Sequence, residues 1–310
     1  MAPTVSIVVL NHNQYDLTRD CLLSLAAVSY PTFNVILVDN GSTDGSFERL
    51  RCEFPYVETV PLAENLGVAG GRNAGVRRAL DQGADYVLFL DNDTFVNPDF
   101  LTELIAVSES HPEIGAVAPA VYVNGSSDTI FSMGGIYYPR LAHNRLRDMG
   151  KRATGVVDDN IIESDWLSGV AILNKRELFE RVGFLDEDFC PYGTEDLDWG
   201  LRVRSAGYKL VVAPRAIVWH RQRPGVARNA AVARHWARSR VIFLRKNVRF
   251  YDWPLAISFL VFYLILLRRV VPFASHGQWG AIRELLLGLK EGLAYQLVIK
   301  RAPSVLAEAK

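Results

Sequence analysis

The chain has 310 residues, 49% hydrophobic and 22% charged, with 34 Lys/Arg against 34 Asp/Glu. Such a composition fits one large globular core or two modest ones and excludes a disordered or fibrous chain. The zero net charge hides an asymmetry, because the first 220 residues carry 18 basic and 30 acidic side chains whereas those from Arg221 onward carry 16 and 4.

Apolar, β-branched runs at residues 5–10, 35–38, 57–62 and 86–90 read as strands covered on both faces. Helix-like segments separate them at 17–27, 46–53 and 71–82, which is the alternation of a doubly wound α/β sheet. Ligands of such sheets sit beyond the carboxyl ends of the strands, and Asn11, Asp39, Asn65 and Asp91 all fall there. Next come a helix over 100–110, a strand over 116–123 and a polar, irregular stretch to about residue 164. Regularity resumes at 166–173, followed by a helix over 175–182, a turn over 184–193, a helix over 195–206 and a strand over 208–213. Three cysteines, Cys21, Cys52 and Cys190, are odd in number and lack metal-ligand spacing, which fits a reducing compartment. MAPTVSIVVLNHNQ, at the start, has no basic region and too short an apolar run for a secretion signal, so a cytosolic location is expected.

In LFLDNDTFVNPDF, residues 88–100, an apolar strand runs into Asp91, Asn92 and Asp93. A solvated acidic turn is the plain reading; the sharper one is a pair of carboxylates gripping Mg²⁺ or Mn²⁺, which in turn grips a diphosphate. LVDNGSTDGS puts Asp39 at a strand end, where a carboxylate can accept hydrogen bonds from a ribose or a base, while Ser42 to Asp44 suffice as a helix cap. ENLGVAGGRNAG sets glycines at a helix start, where the backbone can approach closely, an anion is favoured and Arg72 could reach a phosphate. YGTEDLDWGLRVRSAG presents Glu195, Asp196 and Asp198 in a first helical turn, either as dipole partners or with one carboxylate acting as general base. Trp199, Leu201 and Val203 read as packing residues. AIVWHRQRPG ends a strand-like run on His220, a candidate to complete a metal shell.

Between residues 221 and 249 there are nine Lys/Arg and no Asp/Glu, interleaved with Trp236 and Phe243. No nucleic-acid-binding signature accompanies them, so an anionic membrane surface is the expected partner. Residues 253–267 are apolar except for Ser258, yet a helix of that length reaches only about 22 Å, short of the ~30 Å hydrocarbon core. Interfacial insertion is expected, with Arg268 and Arg269 at the headgroups. Residues 282–299 read as an amphipathic helix with Leu285, Leu286, Leu289, Leu293 and Leu297 on one side. Burial in a helical hairpin or at a homo-oligomer contact is the alternative.

SIVVLNHN, VDNGSTDGS, ENLGVAGGRNAG, FLDNDTFV, WLSGVAILNKRELFERVGFLDEDF, YGTEDLDWGLR and WH, in that order, resemble the inverting, nucleotide-sugar-dependent glycosyltransferases of family 2, most of all the bacterial branch adding rhamnose or related sugars to cell-surface glycans. The resemblance covers about residues 4–221. It implies a GT-A fold, an α/β, Rossmann-like, mostly parallel sheet, as a catalytic domain over 1–221, after which the basic and apolar tail reads as a membrane-associating helical region over 222–310. It further implies that Asp91 and Asp93 are the D-x-D metal motif and His220 a metal ligand. Asp196 becomes the catalytic base beside Glu195. Asn11, Asp39 and Arg72 would line the nucleotide pocket with Asn92, and Trp166 to Gly169 would face the donor sugar or acceptor. The implied partners are a nucleoside-diphosphate sugar, a glycan or lipid-linked acceptor and a divalent cation, on the inner face of the cell membrane. Two rivals are a non-catalytic nucleotide-sugar-binding scaffold and a sugar nucleotidylyltransferase. The first has no need of Asp91, Asp93, Asp196 and His220 together, and the second needs a glycine-rich basic loop where LNHNQYD stands.

Overall fold

The computed structural model describes residues 2–126, 128–153, 160–221 and 230–296. Strand and helix alternate at first: β1 (Val5–Asn11), α1 (Tyr15–Leu25), β2 (Phe33–Asn40), α2 (Ser46–Glu53), β3 (Glu58–Leu62), α3 (Gly67–Asp81) and β4 (Tyr86–Leu90). β4, β1, β2 and β3 are neighbours in that order and all parallel. Successive residues of a strand face opposite sides, and here both sides are covered. Ile7 and Val9 pack with Leu22 and Leu25 of α1, whereas Val8 packs with Val76 and Ala79 of α3. That is why these strands read as unbroken apolar runs. Gly75 sets the closeness of α3, because a Cβ there would lie 2.4 Å from Val8 Cγ1.

The chain continues through β5 (Thr94–Val96), α4 (Phe100–Ser110), β6 (Ile114–Val123), β7 (Ile130–Ser132), β8 (Gly135–Tyr138), β9 (His143–Leu146) and β10 (Ile162–Ser164). After these come β11 (Ala171–Lys175), α5 (Arg176–Arg181), α6 (Glu195–Ser205) and β12 (Lys209–His220). The sheet runs β10-β12-β6-β11-β4-β1-β2-β3, with β5 on β12 and β7 on β6, and β8 pairs with β9 as a separate hairpin. It is mixed: β11 enters antiparallel to β4 and β6, while β12 lies parallel to β6. Two expectations are corrected here. The stretch expected to be irregular holds four short strands, each too brief to show a period; residues 127 and 154–159 of it lie outside the described residues. The strand expected to stop at residue 213 runs on to His220 across a register shift between Ala213 and Ile217, where Pro214 interrupts the ladder.

The C-terminal helices are α7 (Ala230–Asn247), α8 (Trp253–Ser258), a π-helical segment Phe259–Val270, α9 (Val271–Ser275) and α10 (Trp279–Ala294). α10 lies so close along α7 that a Cβ at Gly288 would stand 2.1 Å from the Arg234 carbonyl oxygen. Ala237, Phe243, Ala281 and Leu285 share a core with Trp166, Phe189 and Leu197 of the preceding chain. The expected leucine stripe is split, with Leu285 and Leu289 packed inward and Leu286 and Leu293 exposed; Leu297 lies outside the described residues. The charges expected at a lipid surface are largely turned onto protein. Arg234 pairs with Glu284 and Glu291, Lys246 with Asp186 and Asp188, and Arg238 donates to the carbonyls of Asp188 and Cys190. Arg269 lies 4.8 Å over the Trp236 ring, while the Arg268 side chain and residues 222–229, with Arg223 and Arg228, lie outside the described residues. Among the described residues no helix is long and apolar enough to cross a membrane.

Candidate active site and its cation ligands

Parallel register brings Asn11, Asp39 and Asp91 to one rim of the sheet. Asn11 is paired with Asp39, and β4 ends beside β1. Asn11 Nδ2 donates to Asp39 Oδ1 at 3.0 Å, and Asp39 also accepts from the Ser42 amide at 3.1 Å. The two side chains thus shape the turn after β2; α2 itself starts where Asp44 Oδ1 accepts from the Ser46 amide at 2.9 Å.

β12 delivers His220 because its last residues pair antiparallel with β5, His220 opposite Thr94. Asp91, Asp93 and His220 each offer a ligand atom, all within 4.8 Å of one another. Nε2 of His220 is 3.2 Å from Asp93 Oδ1, and its ring lies edge-on to Phe131 at 4.6 Å. Two carboxylates and an imidazole suit Mn²⁺ or Mg²⁺, and only a slight contraction would close them around an ion. Burial acts to lower the His220 pKa, but the hydrogen bond and charge of Asp93 outweigh it and leave the imidazole above its ordinary value. Asn92 points elsewhere, donating to Thr18 Oγ1 of α1 at 2.7 Å and so anchoring the loop between the two aspartates.

Arg72 links this cluster to the acidic start of α6. Its side chain is 4% exposed, and Nη2 donates at 2.6 Å both to Asp91 Oδ1 and to the Gly169 carbonyl. The Gly169 amide in turn donates to Asp196 Oδ2 at 3.1 Å. A Cβ at Gly169 would meet Arg72 Nη1 at 2.9 Å, so a larger residue there would displace the guanidinium. α3 begins at Gly67, four residues before the expected start, and its Val68 amide is taken by the Pro191 carbonyl at 2.7 Å. That helix end is therefore covered by backbone, and Arg72 supplies the charge from within the helix.

α6 is fixed by Trp199, which is buried, stacked on Phe179 at 5.3 Å and donates from Nε1 to Asn174. Of its three acids, Asp198 is consumed by Arg202 and Asn247, and Glu195 accepts from the Gly193 amide at 2.5 Å. Burial, with Asp196 adjacent, pushes Glu195 up to about 7, and burial likewise raises Asp196. The Asp91 side chain is 35% exposed yet has Arg72, Asp93, His220 and Asp196 near it. Desolvation carries it up to about 6 despite the nearby Arg72 charge. Trp166 is 5% exposed, and its Nε1 abuts Gly135. One neighbour was not anticipated as part of the site: Arg240 of α7, read in the sequence as a member of the basic run, acts electrostatically on Asp196.

Several solved structures share this architecture. GalNAc-T7 with UDP, GalNAc and Mn²⁺ superposes with a TM-score of 0.65 at 15% identity, over 92% of this chain and 56% of that one. The mannosyltransferase PcManGT of Pyrobaculum calidifontis, in complex with GDP-Man and Mn²⁺, gives 0.57 at 18%, over 95% and 88%. These likenesses carry the fold, which is GT-A. The N-acetylglucosaminyl-diphospho-decaprenol L-rhamnosyltransferase of Mycobacterium tuberculosis is 28% identical over 257 residues, 74% of this chain and 80% of that protein. A poly-beta-1,6-N-acetyl-D-glucosamine synthase of Staphylococcus epidermidis is 25% identical over 220 residues, and this chain spans only 49% of its length. The model of glycosyl transferase family 2 matches residues 6–164, and that of glycosyl transferase family group 2 matches residues 86–289. The chain belongs to glycosyl transferase family 2.

Proposed function

We propose that this chain transfers a sugar, with inversion, from a nucleoside-diphosphate donor to a hydroxyl of a lipid-linked or polysaccharide acceptor. The observation that carries the reading is the convergence of Asp91, Asp93 and His220 within 4.8 Å, joined through Arg72 and Gly169 to Asp196. Asp91, Asp93 and His220 would hold Mn²⁺ or Mg²⁺, which when bound neutralises charge developing on the departing diphosphate. Arg72 keeps Asp91 ionised for that purpose. Asp196 accepts the proton of the acceptor hydroxyl, whose oxygen bonds to the anomeric carbon as the bond to the diphosphate oxygen breaks. A raised carboxylate is the stronger base for this step. Glu195, fixed by the Gly193 amide, orients its neighbour. Asn11 and Asp39 would form the wall of the nucleotide pocket, with Asn92 bracing the metal loop and the segment from Trp166 to Gly169 flanking the reacting sugar.

Rhamnose as the donor sugar and a sugar diphosphate lipid as the acceptor are supported by the mycobacterial relative, whose name specifies both and which is matched over most of its length. Residues 1–221 would be the catalytic domain, and the region from 222 onward would rest on the inner face of the cell membrane. Exposed apolar side chains support that contact better than charge does. Tyr251, Leu255, Ile257, Val261, Val271, Trp279, Leu286 and Leu293 are all exposed in the C-terminal helices. The test is a panel of nucleoside-diphosphate sugars assayed for turnover with Mn²⁺ or Mg²⁺. Turnover of one donor, abolished by chelator and restored by metal, is expected; full activity in excess chelator after metal stripping would refute the metal assignment.

A further inference from the structure

Two arginines act on Asp196, and they are in different states. Arg72 has its Nη2 taken up by Asp91 and Gly169. Arg240 differs: its Nε and Nη1 are shut off from solvent and neither has a hydrogen-bond partner. Unused N–H groups on a buried guanidinium are costly, more so than an unpaired neutral donor. Burial holds its pKa down to about 10 in spite of Asp196. Arg240 lies 5.8 Å over the Trp236 ring, Arg269 lies 4.8 Å over the same ring, and the two charges repel. Thr194, two residues before Asp196, has a buried hydroxyl that also lacks a partner. The unspent donors of Arg240, whose charge acts on the proposed base, call for an anion, and a guanidinium matches phosphate oxygens in a planar, two-pronged contact.

We propose that Arg240 binds the diphosphate of a lipid-linked sugar acceptor and thereby holds the acceptor hydroxyl at Asp196. The inference rests on the acceptor reading above and assigns that acceptor a binding group. In the reading above the donor diphosphate would sit by the metal held at Asp91, Asp93 and His220, whereas the carboxylate acting on Arg240 is Asp196. In a sugar diphosphate, the phosphate on the anomeric carbon lies within one ring's width of the sugar hydroxyls. A hydroxyl at Asp196 and a phosphate at Arg240 can therefore belong to one molecule.

The test is calorimetric titration of the full chain, in chelator so that no metal can bridge, with farnesyl diphosphate N-acetylglucosamine and with farnesyl N-acetylglucosaminide. Wild type should bind the diphosphate compound about 10- to 100-fold more tightly. Arg240→Gln should abolish that preference and Arg240→Lys should keep part of it, with circular dichroism melting showing that both variants fold. A third arm titrates UDP, GDP and dTDP with Mn²⁺. Weakening of nucleotide binding in Arg240→Gln, with the lipid preference kept, would give the arginine to the leaving group and overturn the proposal. Equal binding of the two lipids by wild type would overturn it while leaving a lipid-linked acceptor in place. Binding of neither lipid would remove the acceptor reading and the proposal together.

Discussion

Arg72→Met removes the guanidinium at the centre of the site while keeping most of its bulk. The structure fixes what is lost: two hydrogen bonds from Nη2, one to the Asp91 carboxylate and one to the Gly169 carbonyl. Breaking a buried ion pair costs about 3–5 kcal/mol, and the solvent access of Asp91 reduces this to roughly 2–3 kcal/mol, so the variant should still fold. The larger consequence is electrostatic. Asp91 stands at about 6 with Arg72 in place, and an opposite charge this near is worth about 1–3 pKa units, so its loss carries Asp91 to about 8. A metal ligand must be deprotonated. At pH 6.5 the ionised fraction falls from about three-quarters to a few per cent, and Mn²⁺ affinity should drop about 10- to 30-fold. At pH 8.5 the gap should shrink to about twofold or reverse, since the missing cation no longer repels the ion. Calorimetric Mn²⁺ titration at both pH values checks this. Equal affinity at pH 6.5, or a deficit of the same size at both, would refute the role given to Arg72.

Glu195 is raised in the folded state to about 7 from an ordinary 4.5, so its protonated form contributes stability that is complete below the lower value and lost as pH rises through the upper. Melting temperature should fall between pH 5 and pH 8, and Glu195→Gln should flatten the fall; an unchanged slope would show that the acid is not buried as described. Gly288→Ala should cost about 1–3 kcal/mol by pressing a methyl against the Arg234 carbonyl, and an unaltered urea midpoint would mean that α10 does not pack on α7 this closely. Trp279, Leu286 and Leu293 recur every seven residues on one face of α10 and are 67%, 57% and 68% exposed. Replacing all three with Ser should reduce flotation with anionic vesicles without lowering the melting temperature, and undiminished flotation would rule out that face.

The parallel half of the sheet was legible because residues 5–10 and 86–90 are buried on both sides, which leaves apolar runs bounded by polar strand ends. The place of Asp91 at a strand end was legible for the same reason, whereas its reading as part of a D-x-D motif came from the resemblance. What the sequence concealed was long-range. Nothing local marks that Arg72 will meet Asp91 and Gly169 at once, or that the α3 start will be covered by Pro191. Short strands such as β7 and β10 take their form from neighbours already in the sheet, so their three residues carry no period. The partners of the basic run were hidden because charges far apart in the sequence can pair only in the fold. Glu284 and Glu291, Asp186 and Asp188 lie 50 to 60 residues from Arg234 and Lys246, and only folding pairs them.

In the proposed reaction Asp196 takes the acceptor proton while Asp91, Asp93 and His220 hold the metal for the donor. Asp196→Asn nearly preserves size and keeps an acceptor for one of the two backbone amides, Gly169 and Leu197, that donate to the carboxylate, so it removes the base at the cost of one hydrogen bond. The decisive measurement is sugar transfer by wild type and Asp196→Asn at saturating donor, with donor affinity read by calorimetry on the same samples. Donor binding should persist while transfer slows by roughly 10²- to 10⁴-fold. Transfer at the wild-type rate would contradict the account and move the base to another carboxylate, and loss of donor binding with the fold intact would place Asp196 in the donor pocket instead.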